Sequence, residues 1–191
     1  MKTTESWLSP GHRQWRMRVF TATWLSYFGY YFCRKPFFAA KQTLSELPGW
    51  TDDSLALVGS SFLIAYAAGQ FVAARLGTRI GARRLLLAGM AISILCNVVF
   101  GLTDSVGTFV GFMVINGLAQ ATGWSGNVAS MAPWFRREER GTVMGFWGTN
   151  FQVGGFLASA LAGYLLASSG LSGAFFGGSV VLLAIWAFFV F

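Results

Sequence analysis

Charge is scarce in this sequence. Asp, Glu, Lys and Arg make up 11% of its 191 residues, against about 25% in a typical soluble domain. With 54% hydrophobic residues, a soluble chain of this size could not cover its surface. Histidine is scarcer still: His12 stands alone, which excludes an imidazole-based triad or a histidine-rich metal site. No glycine-rich loop ends in Lys-Ser or Lys-Thr, so the nucleotide-phosphate cradle is missing too. No catalytic residue, metal or cofactor is expected, and the chain does not read as an enzyme. The two cysteines, Cys33 and Cys96, both fall in apolar stretches and read as buried thiols. With 19 Phe and 8 Trp, disorder is excluded as well. What remains is an all-α polytopic membrane protein.

The charge-free gaps measure its spans. Residues 54–74, 85–103, 105–135 and 141–191 contain no Asp, Glu, Lys or Arg. A crossing helix needs about 20 apolar residues. The last gap would be about 76 Å long as one helix, so it must hold two spans, with the turn at Ser168, Ser169, Gly170, Leu171, Ser172 and Gly173. Six transmembrane helices are expected, near 19–41, 54–75, 85–103, 107–133, 141–167 and 173–191. Residues 1–18 lack an apolar run and read as a basic tail, not a signal peptide. In span five, small residues recur every four positions as Gly155, Ser159 and Gly163, and as Gly154, Ala158 and Ala162, which lets helix backbones approach closely.

Eleven of the fourteen basic residues precede span one or lie between spans two and three or four and five. All are then on one side, so both termini are expected to be cytoplasmic, in a cell membrane. The net charge of +7 reads as topology and attraction to the lipid bilayer, with no nucleic acid as partner.

Span one is the informative place. An arginine inside a span costs about 2.5 to 17 kcal/mol and usually faces protein or water. At 100° per residue, with Tyr27 at zero, Tyr31 falls at about 40°, Arg34 at −20°, Tyr30 at −60° and Lys41 at −40°. They share one wedge if Pro36 does not rotate the far end, and Lys35 lies beside it. Phenols and a guanidinium, with no internal carboxylate, make an anion site; the guanidinium fork fits two phosphate oxygens. The alternatives are lysines snorkelling to the outer interface and tyrosines in an interfacial belt. Asn116, Gln120, Trp124 and Asn127 form a polar stripe in span four, and Trp147, Asn150 and Gln152 lie near mid-span five. These are either ligand contacts or interhelical hydrogen-bond partners.

The segment from Ala74 to Arg84, with Leu76, Gly77, Arg79, Gly81, Arg83 and Arg84, resembles the signature loop of the major facilitator superfamily. Thr78 stands where an acidic residue is usual. The resemblance implies the N-terminal six-helix half of that fold, with Arg79, Gly81 and Arg83 in the cytoplasmic gating loop. Tyr27, Tyr31, Arg34, Lys35, Pro36 and Lys41, together with Asn116, Gly117, Gln120, Gly123 and Trp124, resemble the organophosphate:phosphate antiporter family. So do Trp134, Phe135, Arg140, Gly141, Trp147, Val153, Gly154 and Gly155. In span five some of these carriers have a histidine, where this chain offers Asn150, Phe151 and Gln152.

That resemblance implies a secondary transporter exchanging glycerol phosphate or a sugar phosphate for inorganic phosphate. Arg34, aided by Lys35 or Lys41, would take the phosphate, while Tyr27, Tyr31, Gln120, Trp124 and Asn150 line the rest of the site. Such carriers have two six-helix halves, so the chain is expected to be a fragment, or a half that pairs with a second. A sugar-phosphate sensor of the same fold, or a carrier for another small solute, is the alternative.

Overall fold

The computed structural model describes residues 10–190; residues 1–9 of the basic tail and Phe191 lie outside the described residues. Among the described residues all regular structure is helical. Helix α1 covers Pro10–Tyr30 and is followed by a 3-10 turn at Tyr31–Cys33 and by α2, Lys35–Ser45. Then come α3 (Asp52–Ile80), α4 (Ala82–Phe100), α5 (Val106–Met131), α6 (Arg140–Trp147) and α7 (Thr149–Val190). Among the described residues four stretches are long and apolar enough to cross a membrane: Asp52–Ile80, Ala82–Phe100, Val106–Trp134 and Arg140–Val190.

The expected single helix over 19–41 is corrected. It starts earlier, at Pro10, and breaks at Tyr31–Arg34. Proline explains the break: Pro36 has no N–H for the Phe32 carbonyl, and its ring disfavours continuous helix before it. The Arg34 N–H turns back to Tyr31 O at 3.1 Å, and α2 resumes with Pro36 in its first turn, where a missing N–H costs nothing. The helical-wheel wedge therefore does not extend to Lys41.

Local chemistry sets the other ends. Thr51 and Ser54 form a reciprocal capping box before α3, and Asp52 and Asp53 sit in its first turn, where the helix dipole favours negative charge. Gly81, at φ +85°, joins α3 to α4 in a conformation that a side chain would strain. The Arg140 side chain donates to the Phe135 and Ala132 carbonyls at 3.1 and 2.8 Å, satisfying acceptors beyond the end of α5. The long α7 is not straight. Residues 165 and 177 would be about 18 Å apart along a straight axis, yet a Cβ on Gly177 would meet the Leu165 side chain. The bend is at Gly170, at φ 70°, inside the stretch expected to turn.

Close backbone approach assembles the bundle. A Cβ on Gly117 of α5 would lie 2.6 Å from Phe62 O of α3, and one on Gly69 would lie 2.7 Å from the Ala121 methyl. Gly89 of α4 meets Thr122, the Tyr30 hydroxyl and Ala119 O in the same way. Of the two small-residue stripes, Gly154, Ala158 and Ala162 are buried, with Gly154 against the Phe28 backbone, whereas Ser159 and Gly163 are exposed. Two apolar clusters result. One surrounds Phe37, Phe109 and Phe175, the other Tyr30, Trp147 and Leu182.

At the end of the bundle carrying most of the arginines, Arg16 pairs with Glu139 at 2.7 Å. Desolvation would raise the Glu139 carboxyl, but the Arg136 N–H and the Arg16 guanidinium outweigh it and hold it below its ordinary value. A lowered folded value means the pair's contribution is complete above the ordinary value near 4.5 and fades as pH falls through the lowered one. Glu139→Gln should remove that acid-side loss from melting curves of the solubilised protein. Gly89→Val should cost about 1–3 kcal/mol by overpacking, whereas Gly111→Val, where a Cβ meets nothing within 4 Å, should leave the melting temperature unchanged.

Candidate functional site

The break in the first helix leaves the Cys33 carbonyl outside the normal ladder, and three side-chain amides take it. Asn97 Nδ2 donates at 2.9 Å, Gln120 Nε2 at 3.2 Å and Asn116 Nδ2 at 3.3 Å. A carbonyl has two lone pairs, so this oxygen is saturated. The Asn116 oxygen accepts from Ser93 Oγ at 2.8 Å and from Gln120 Nε2 at 3.2 Å. Both donor positions of Gln120 are thereby used, which turns its oxygen outward. That oxygen accepts from Arg34 Nε at 2.8 Å.

The guanidinium is thus held by a neutral amide and by aromatic faces. Its central carbon lies 4.9 Å from the Tyr31 and Tyr66 ring centres and 5.4 Å from Phe62, a cation–π enclosure. Nη2 is buried without a hydrogen-bond partner. Among the described residues the ion pair is Arg16 with Glu139, not one at Arg34. Behind Arg34 a cavity of about 10 Å³, lined by Phe37, Met113 and Asn116, among others, has room for at most one water. From Tyr31 the aromatics continue through Tyr27 to Trp124, which is 43% exposed.

Four other expected residues gather there. Tyr27 OH lies 3.3 Å from Tyr66 OH, and the Tyr27 ring contacts Tyr31 and Trp124 edge-on at 5.9 Å each. Trp147 closes this aromatic group at 5.3 Å from Tyr27 and 5.5 Å from Trp124. Lys35 runs beside it: a Cβ on Gly155 would lie 3.6 Å from Lys35 Cε and 3.7 Å from Tyr31 Cδ1. Lys41 sits elsewhere, over the Phe37 and Phe38 rings at 5.7 and 5.5 Å, in a separate groove with Gln42 and Asp52. Asn150 is fully buried, with neither side-chain polar atom partnered.

Residues the sequence reading passed over are Phe62 and Tyr66 of α3 and Ser93 and Asn97 of α4. Tyr66 and Gln70, four apart in the otherwise apolar stretch 62–74, were the available signal; Gln70 accepts from Ser125 at 3.1 Å. Of the loop residues, Gly81 makes the α3–α4 joint and Arg79 is exposed. Arg83 donates to Val190 O, and Thr78 bonds only within its helix, to Arg75 O at 2.8 Å.

The sequence profile of the Major Facilitator Superfamily matches residues 19–191. The chain belongs to that superfamily. It is 33% identical over 165 residues to a probable hexose phosphate transport protein of Chlamydia trachomatis, covering 86% of this chain and 36% of that protein. A glycerol-3-phosphate transporter of Bacillus subtilis is 33% identical, covering 82% of this chain and 36% of its own length. A glucose-6-phosphate exchanger of Homo sapiens is 38% identical over 128 residues, covering 64% and 24%. These relatives agree with the resemblance to organophosphate:phosphate antiporters. The chain spans about a third of the length of the curated relatives it matches.

Gln120→Glu puts a carboxylate where the amide oxygen meets Arg34. It should neutralise the guanidinium internally, so that any anion binding at Arg34, read by titration calorimetry on the full-length protein, weakens by about tenfold or more.

Proposed function

We propose that the chain forms the first half of a carrier that exchanges a phosphorylated small organic solute for inorganic phosphate across a membrane. The observation that carries this reading is a half-buried guanidinium whose Nη2 is buried without a partner, tethered by an amide and faced by aromatics rather than by a carboxylate. A cation so placed is incomplete until an anion arrives. The phosphate-linked names of the relatives support phosphate chemistry for that anion.

Six crossings account for the helices: α1 with α2, α3, α4, α5, α6 with the first arm of α7, and its second arm. Residues 1–18 form the tail and 19–191 the half-bundle. The arginine-rich end faces the cytoplasm by the positive-inside rule, in a cell membrane, with both ends of the half-bundle on that side. A second six-helix half closes the site, since the open face beside Trp124 otherwise gives onto nothing that could hold a solute. Arg34 takes the phosphate; Lys35, beside Tyr31 and Gly155, adds a second positive charge. Tyr27, Tyr31, Gln120 and Trp124 shape the pocket. Asn150, behind them, supports the wall, and Lys41 attracts anions at the outer entrance. Arg79, Gly81 and Arg83 serve the cytoplasmic gate. The reading is one of binding and reorientation, with no bond made or broken.

Full-length protein in vesicles preloaded with labelled phosphate should release it against external glycerol phosphate or a hexose phosphate. Arg34→Lys, which cannot form the planar fork, should slow that exchange about tenfold or more. Near-normal exchange in this variant would overturn the assignment.

A further inference from the structure

A second cationic feature lies on the opposite side of α1. Arg18 is nine residues from Tyr27, about 900° or two and a half turns, so it points away from the site around Arg34. On that side α1 meets the end of α7 at Gly29, where a Cβ would lie 2.9 Å from the Cδ1 atoms of Leu182 and Ile185. Nearer the arginine-rich end the two helices border a groove of about 810 Å³.

The groove is chemically two-ended. Its apolar part includes Val19, Phe188 and Phe189; among the described lining residues the charged ones are Arg18 and Arg83, with no Asp or Glu. Trp15 and Trp134, stacked at 6.2 Å, share the lining with the arginines, and tryptophan favours the headgroup level. Arg18 lies 5.2 Å over the Trp15 ring, which holds it at the rim. Arg83 gives one N–H to Val190 O, and a guanidinium has five, so donors remain. Met17 and Phe188 are 64% and 61% exposed, leaving the apolar part open to the side.

A soluble anion would match the arginines but leave the floor wet, and a hydrocarbon chain would match the floor but leave the cations unpaired. We propose that this groove binds an anionic phospholipid, its phosphodiester between Arg18 and Arg83 and one acyl chain along Val19, Phe188 and Phe189. The occupant is anionic because, among the described residues lining the groove, two cations face one headgroup without an acid. This assignment is independent of what the carrier transports.

The test uses full-length protein in phosphatidylcholine vesicles, doped with phosphatidylglycerol or phosphatidylcholine brominated near the head of the acyl chain. The readout is the quenching assigned to Trp15, taken as the difference from a Trp15→Phe variant. Brominated phosphatidylglycerol should quench at a roughly thirtyfold lower mole fraction than brominated phosphatidylcholine, the scale of two arginines facing an anionic lipid. Arg18→Gln with Arg83→Gln should bring the two lipids level, and Arg18→Gln alone should narrow the gap if the double variant does not fold. Equal quenching in the parent protein would overturn the proposal. So would displacement of the brominated lipid by soluble inorganic phosphate, which would make the groove a plain anion site. Absence of quenching by either lipid would also overturn it, because the groove would then be covered by protein, residues 1–9 of this chain included.

Discussion

One backbone oxygen organises this half-bundle. The carbonyl of Cys33 has left the helical ladder, and a bare carbonyl in an apolar interior is expensive. Asn97, Asn116 and Gln120 answer it from two different helices. The break in the first helix is thus stabilised by α4 and α5, and those helices are registered against it. Arg34 sits one residue beyond that oxygen and is tethered by the same Gln120. Removing the amides would free the joint and the cation together.

The packing around the joint serves the same end. Small residues at Gly117, Gly69 and Gly89 draw α3, α4 and α5 within backbone reach of one another. Only at that separation do Phe62 and Tyr66 from α3 reach the guanidinium while Gln120 reaches it from α5. Cation–π contact and a charge-assisted hydrogen bond offset part of the cost of withdrawing a guanidinium from water. The unpartnered Nη2 is the remainder, and the proposed anion site rests on it.

Much of this was legible in the chain itself. Charge-free gaps located α3, α4 and α5, because the cost of burying charge acts residue by residue and leaves its trace in composition. The length of the last gap called for a turn, and the Ser and Gly cluster at 168–173 placed it near Gly170. Arg34, Tyr27, Tyr31, Gln120 and Trp124 stood out as polar or amphipathic groups at helical spacing. Lys41 misled because a helical wheel assumes an unbroken axis, and Pro36 breaks it. Phe62 and Tyr66 stayed hidden because an aromatic facing a cation looks the same in sequence as one facing lipid. The role of Cys33 was invisible for a deeper reason: its backbone oxygen, not its side chain, does the work, and a letter code says nothing about a carbonyl.

The jointed first helix has a mechanical consequence. A rod of 21 residues, about 31 Å long, meets a shorter one of 11 residues at the point where the guanidinium is anchored. Any swing of either arm about that point sweeps the distant tips through the widest arc and the fulcrum through the least. The cation would then stand nearly still while the approaches on either side of it widen or narrow, so that a passenger resting there changes its outlook without being carried.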